Sequence, residues 1–206
     1  MSTVSNFHSR HTMRRRVHFL AVTAMLSAVA FILQYLEFPL PFMPGFIKLD
    51  FSDMPALLGT FALGPVCGIM IELLKNVLHS AVSQSFGIGE ISNALLGSVF
   101  AGVAGVVYLR HKTRAGAFWA SFSGALAMAL FSFPCNLYLV YPIYYHFMAK
   151  EVIIAAYQLI VPSVNSIAQC LLLFNVPFTF MKGMIDVIIT MVIYKKISPI
   201  LHGYNR

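Results

Sequence analysis

Residues 17–36 read VHFLAVTAMLSAVAFILQYL, twenty consecutive positions without an aspartate, glutamate, lysine or arginine. About 20 apolar residues form a helix long enough to cross the hydrocarbon of a bilayer, so this stretch predicts a membrane-spanning helix. The rest of the chain repeats the pattern. Of its 206 residues, 59% are hydrophobic and only 10% charged, against roughly 25% charged in a soluble domain. The composition predicts an all-α integral membrane protein with six transmembrane helices in one bundle and no separate soluble domain.

Arg14-Arg15-Arg16 ahead of the first run, and Ala28-Val29-Ala30 within it, imitate a cleaved secretory signal. The apolar run continues through Phe31 to Leu36 with no polar region before the cut, so it reads as a retained span. A loop at 37–52 follows. The second span begins near Asp53, which is placed to cap it, carries Pro55 in its first turn, and stops at Leu63, short for a full crossing. Gly64-Pro65 reads as a tight turn. Further spans are expected over 66–82, 91–109, 117–140 and 170–194, with a less apolar segment at 141–169 holding a short helix near 152–160.

Charge orients the bundle. With six spans and the N-terminus in the cytoplasm, the inner pieces hold Arg10, Arg14, Arg15, Arg16, Arg110, Lys112, Arg114, Lys195, Lys196 and Arg206, and no carboxylate. The outer pieces hold Glu37, Asp50, Asp53, Glu90 and Glu151 against Lys48 and Lys150. This split follows the positive-inside rule with both termini cytoplasmic. It divides the chain into a basic tail at 1–16, a membrane domain at 17–196 and a C-terminal tail at 197–206. It also accounts for the net charge of +7 without a nucleic-acid partner.

Four ionisable residues fall inside spans, where a charge is costly and normally faces the bundle interior. On span three, Glu72, Lys75, Asn76 and His79 share one helical face; on span six, Asn175, Thr179, Lys182 and Asp186 do the same. Two readings compete. In one, Glu72 with Lys75 and Lys182 with Asp186 are ion pairs holding helices together. In the other, Lys182 joins Asn136, Thr179 and Asn175 in a pocket at the outer half of the bundle, where Asn93 also opens span four. Many uncharged hydrogen-bonding groups suit a neutral, polyhydroxylated ligand.

Other chemistry has less support. Cys67, Cys135 and Cys170 are widely spaced in apolar segments and read as small hydrophobes. His8, His11, His18, His111, His146 and His202 lack metal-ligand spacing, so no metal site is expected. No phosphate-binding G-x-x-x-x-G-K-[ST] loop occurs, so any ATP used would be bound by another subunit. No nucleophile accompanies the buried charges, so no catalytic residues are assigned.

The stretch FPLPFMPGFIKLDFSDMPALLGTFALGPVCG at 38–68 resembles the signature region of the riboflavin-binding S-components of energy-coupling factor (ECF) transporters, as do LLKNVL at 73–78 and NVPFTFMKG at 175–183. The resemblance spans about 180 residues by the extent of these segments and spans. It implies a multi-pass protein of the bacterial plasma membrane that captures riboflavin from outside. It also implies a membrane coupling subunit and two ATPase subunits as partners, and no cofactor of its own. The family's capping loop maps onto Phe46, Ile47, Lys48, Leu49 and Asp50, its span-five asparagine onto Asn136 and its span-six lysine onto Lys182. Asn93, Tyr141, Asn175 and Thr179 complete the expected ligand set. Thr179 stands where typical members have asparagine, and Asn175, one turn earlier, is the candidate to compensate. The family's Ala-x-x-x-Ala docking pattern matches Ala24 and Ala28, with Ala21 on the same stripe. The alternatives are an S-component for another vitamin, or a polytopic membrane enzyme using the buried charges for acid–base chemistry.

Overall fold

A computed structural model describes the backbone at 2–83 and 87–201 and the side chains at 13–83 and 87–194. The side chains of Arg10, Lys195, Lys196, Arg206, His8, His11 and His202, and positions 84–86, lie outside the described residues. Among the described residues the regular elements are helices, apart from one small hairpin.

Helix α1 (Ser2–Tyr35) carries the first apolar span. Val22, Leu26 and Ala30 face inward at helical spacing and pack on Ala56, Leu58, Cys67 and Ile71. The loop that follows is more ordered than a connector. β1 (Phe38–Pro39) pairs antiparallel with β2 (Lys48–Leu49), in the register Phe38↔Leu49 and Pro39↔Lys48. Its ladder is short because Pro39 has no N–H to donate.

Helices α2 (Asp53–Leu63) and α3 (Pro65–Ser80) form the centre. At 1.5 Å per residue they are about 17 Å and 24 Å long, and neither matches a hydrocarbon core of about 30 Å. α2 is buried at Asp53 and Pro55–Phe61 and touches α1, α3, α4 (Ile88–Arg110) and α9 (Val176–Leu201). That explains an apolar helix too short to span: its neighbours cover it rather than lipid. Gly64 turns the chain between the two helices with φ 98°, a left-handed conformation that favours glycine, and Pro65 opens α3.

Helix α4 (Ile88–Arg110) and the run Arg114–Tyr144 are each long and apolar enough to cross a membrane, as are 13–35 of α1 and the run Ile167–Tyr194. The second of these runs begins as α5 (Arg114–Cys135), passes through a π-helical turn at Asn136–Val140 and ends as α6 (Tyr141–Tyr144). A short α7 (Lys150–Gln158) follows, starting two residues before the expected 152. The last run begins as α8 (Ile167–Cys170), widens into a π-helical turn at Leu171–Asn175 and continues as α9 (Val176–Leu201). Pro134 and Pro177 lie beside the two π-turns and lack the N–H of a regular ladder. Such turns recur at functional sites, and here each carries an asparagine.

Four helices of spanning length are therefore described, with α2 and α3 as shorter partners. The three cysteines are free and buried, as expected for small hydrophobes, and Cys67 Sγ lies 3.2 Å from Thr23 Oγ1. Helices α2, α3 and α4 meet closely at Gly68. A Cβ there would stand 2.9 Å from the Ala56 carbonyl oxygen and 2.9 Å from Ala101 Cβ. Gly68→Ala should therefore lower the thermal unfolding temperature of detergent-purified protein, at a cost of about 1–3 kcal/mol. An unchanged unfolding temperature would show that the helices separate freely at this point.

Candidate functional site

The hairpin loop, α4 and the two π-turns enclose a cavity of about 450 Å³, within the range of small-molecule sites. The loop contributes Phe46, Ile47, Lys48 and Asp50 to its wall. Leu49 does not line it. Successive strand residues point to opposite faces, and Leu49, between two cavity-facing neighbours, is buried in the core and only 5% exposed. From the helices come Asn93, Asn136, Tyr141, Asn175, Thr179 and Lys182. The structure thus brings together all the expected ligand residues except Leu49.

Electrostatics hold the loop to the bundle. Lys182 Nζ lies 3.0 Å from Asp50 Oδ2 and 3.3 Å from Asp53 Oδ2, and donates to Asn93 Oδ1 at 3.2 Å. Lys75 Nζ binds Asp53 Oδ1, sits 2.8 Å from Glu72 Oε2, and donates to Ser52 Oγ at 2.7 Å. The backbone N–H of Ser52 donates to Asp50 Oδ1 at 2.9 Å, and its hydroxyl donates to the same oxygen. Asp50, Ser52, Lys75, Asp53 and Lys182 therefore form a closed ring of contacts joining the loop to α2, α3 and α9.

This ring corrects two expectations. Lys182 is ion-paired with Asp50 and Asp53 rather than with Asp186. Its long side chain leans toward the N-terminal end of α9, as helical side chains do, and meets two carboxylates there. Both Asp186 oxygens are buried without a hydrogen-bond partner among the described residues. Nor does the Asp53 side chain cap α2. Ser52 occupies the cap position without a side-chain bond to the backbone of the first turn, and the Asp53 carboxylate is taken by the lysines.

The polar face of α3 is buried as expected, but it serves helix contacts rather than the cavity. Glu72 pairs with Lys75, Asn76 Oδ1 accepts from Gln34 Nε2 at 2.9 Å, and His79 Nδ1 lies 2.9 Å from Glu90 Oε1. Glu72 lies where Gly97 leaves room, since a Cβ on that glycine would stand 2.0 Å from Glu72 Oε2. Among the described residues no group of three His, Cys, Asp or Glu is placed to hold a metal ion.

Some wall residues carry no warning in the sequence. Gln34 closes the first span, and Phe178 adjoins Thr179 on α9. Tyr144 ends α6, and Phe147 and Met148 lie between α6 and α7. Nothing in their spacing distinguishes them from residues that face lipid.

Behind the wall, Tyr157 of α7 is fully buried. Its hydroxyl donates to Asn175 Oδ1 at 2.7 Å and lies 2.5 Å from the Tyr141 hydroxyl. Its ring stands edge-on to Phe46 of the loop, with centroids 5.8 Å apart. Burial, reinforced by the neighbouring Tyr141, pushes the Tyr157 phenol far above its ordinary pKa, so it remains a proton donor.

On the opposite side of α1 from its core contacts, Ala21, Ala24 and Ala28 are exposed, beside Met25, Val29 and Ile32. The small-residue stripe therefore faces out of the bundle.

Three comparisons bear on these features. The family model described as "ECF transporter, substrate-specific component" matches residues 18–194. The chain is 31% identical to the riboflavin transporter RibU of Staphylococcus aureus, over 88% of this chain and 91% of that protein. It is 28% identical to the riboflavin transporter FmnP of Bacillus subtilis, over 89% and 94% of the two chains. A solved structure of the S component of a bacterial ECF transporter superposes with a TM-score of 0.71 at 28% identity. It covers 91% of this chain and 99% of that one.

Proposed function

The chain belongs to the ECF transporter substrate-specific components, and from that premise we propose that it captures riboflavin at the outer face of a bacterial membrane for delivery inward. The observation that carries this reading is the cavity itself. It lies under a hairpin, has the volume of a small-molecule site, and is lined by three asparagines, in a chain similar to two riboflavin transporters. The protein is a transport component, not an enzyme, and uses no cofactor.

The chemistry suits a flavin. The isoalloxazine ring is a broad plane with a polar, uracil-like edge and carries a ribityl chain. Phe46, Ile47, Tyr141 and Phe178 offer apolar and aromatic wall, while Asn93, Asn136, Asn175 and Thr179 offer hydrogen-bonding groups. We place six spans in the membrane, with α2 and α3 as the short second and third, and both termini in the cytoplasm. The Arg14–Arg16 cluster and the basic turn between α4 and α5 support that orientation. The domain at 17–196 would be the substrate-binding unit, the 37–52 loop its cap, and 1–16 and 197–206 its cytoplasmic tails.

Charge decides which flavin fits best. Among the described residues the wall holds Glu37, Asp50, Asp53 and Glu90 against Lys48 and Lys182. Both lysines are already paired, Lys48 with Glu37 at 2.6 Å and Lys182 with Asp50 and Asp53. A phosphate ester brings a charge of about −1.5 to −2 at neutral pH and meets no unengaged cation. Riboflavin should therefore bind at least about tenfold more tightly than flavin mononucleotide, a difference of about 1.4 kcal/mol. Equal affinities by fluorescence-quench titration would contradict this account of the wall.

Delivery inward requires partners: a membrane coupling subunit and two ATPase subunits that bind the ATP. The Ala21, Ala24 and Ala28 face is the proposed docking surface, since small residues let helices approach closely in lipid. Co-expression with such a coupling module should restore growth of a riboflavin auxotroph on low riboflavin. Ala24→Trp should abolish that rescue while riboflavin binding stays intact. Normal rescue by this variant would move the docking surface elsewhere, and no rescue by the unmodified chain would contradict the transport reading.

A further inference from the structure

The hydroxyls behind Asn175 decide which end of its carboxamide meets the cavity. A phenol has one proton. The proton of Tyr157 goes to Asn175 Oδ1, so the 2.5 Å contact between the two tyrosines requires Tyr141 to donate to Tyr157. The relay runs one way, from Tyr141 through Tyr157 to Asn175. It joins α6, α7 and the second π-turn, elements otherwise separated in the chain. Tyr157 is not part of the cavity wall; Asn175 is.

The consequence falls on Asn175. Its oxygen is occupied from behind by the Tyr157 hydroxyl, and of the two N–H groups on its Nδ2 the Tyr141 hydroxyl takes at most one. A free carboxamide offers a ligand either end by rotating half a turn. One whose oxygen is held by a buried phenol offers only its N–H donors, because rotation would break the Tyr157 bond and bury a hydroxyl without an acceptor. Asn93 is held in the same sense from the other side. Lys182 can only donate, so Asn93 presents its oxygen to the lysine and its nitrogen elsewhere.

We propose that Tyr157 is a positioning residue that makes Asn175 an obligate hydrogen-bond donor to an acceptor atom of the bound flavin. It touches no ligand atom and acts only through Asn175. The inference rests on the reading of this cavity as the riboflavin site. Flavins suit such a donor, since the ring edge carries two carbonyl oxygens and two unprotonated nitrogens and the ribityl hydroxyls also accept.

The test is a double-mutant cycle on the full-length protein in detergent, read by quenching of riboflavin fluorescence, with the unfolding temperature measured for each variant. Tyr157→Phe keeps the ring that packs on Phe46 and Phe174 and should weaken riboflavin binding about five- to thirtyfold, the size of one oriented hydrogen bond. Asn175→Ala should weaken it at least as much. Tyr157→Phe with Asn175→Ala should be no weaker than Asn175→Ala alone, because the tyrosine has nothing left to orient. Asn175→Asp still accepts from Tyr157 but has no N–H, and should lose as much affinity as the alanine variant at an unchanged unfolding temperature. Losses that simply add in the cycle, or an Asn175→Asp protein that binds like the unmodified chain, would overturn the proposal. An unmodified protein that does not bind riboflavin at all would overturn the functional reading and this inference with it, so the two failures are distinct.

Discussion

Lys182→Met should abolish measurable riboflavin binding and also lower the unfolding temperature sharply. Lys182 is a cavity residue and a structural cation at once. Its ammonium neutralises Asp50 and Asp53 and orients Asn93, at 3.0, 3.3 and 3.2 Å. Asp50 is 4% exposed and Asp53 fully buried. Removing the partner of a buried charge costs about 3–5 kcal/mol, because the other charge stays behind without water. The loop carrying Asp50 also lines the cavity, so losing this contact frees that wall from α9. Lys182→Met with Asp50→Asn should recover part of the stability and none of the binding. Full recovery of binding in the double variant would show that Lys182 serves the fold alone.

Lys75→Met should produce a comparable or larger loss of stability with a smaller effect on affinity. Lys75 is fully buried and is not part of the cavity wall. It holds Asp53, Glu72 and Ser52, and so ties α3 to the start of α2. Without it, Glu72 loses its ion pair at full burial, again at a cost of about 3–5 kcal/mol. Lys75→Met with Glu72→Gln removes both halves of one pair and should be more stable than Lys75→Met alone. The two lysines share Asp53, so their effects should not add. The measurements are thermal unfolding for stability and riboflavin titration of the folded fraction. A Lys75→Met protein as stable as the unmodified chain would mean the ring of contacts contributes little to the fold.

These two lysines also mark how far the sequence could be read. Helical spacing alone placed Glu72, Lys75, Asn76 and His79 on one face, and Asn175, Thr179, Lys182 and Asp186 on another. Spacing reports which residues share a face, not what lies opposite. Asp186, four positions from Lys182, was the local candidate for its partner. The actual partners are 132 and 129 positions away along the chain, in the loop and at the start of α2.

The loop reads as a cap from its prolines, its mixed polarity and its family resemblance, and in the fold it contributes wall to the cavity. Its hairpin was not legible, because two paired residues on each side leave no alternating pattern to detect. That pairing is what separates Leu49 from Lys48 and Asp50, since one step along a strand reverses the face. Thr179 does line the cavity. However, the carboxamide held most firmly there belongs to Asn175, and the group that holds it is 18 positions away on α7. A tyrosine in a short, mildly apolar helix between two spans gives no sign of that role until the chain is folded.

The most direct measurement is isothermal titration of riboflavin into the full-length protein purified in detergent. One riboflavin per chain, with tight binding that is lost in Lys182→Met and is stronger than for flavin mononucleotide, is the expected result. A folded protein that gives no heat with riboflavin, and binds a chemically different vitamin instead, would contradict the substrate assignment.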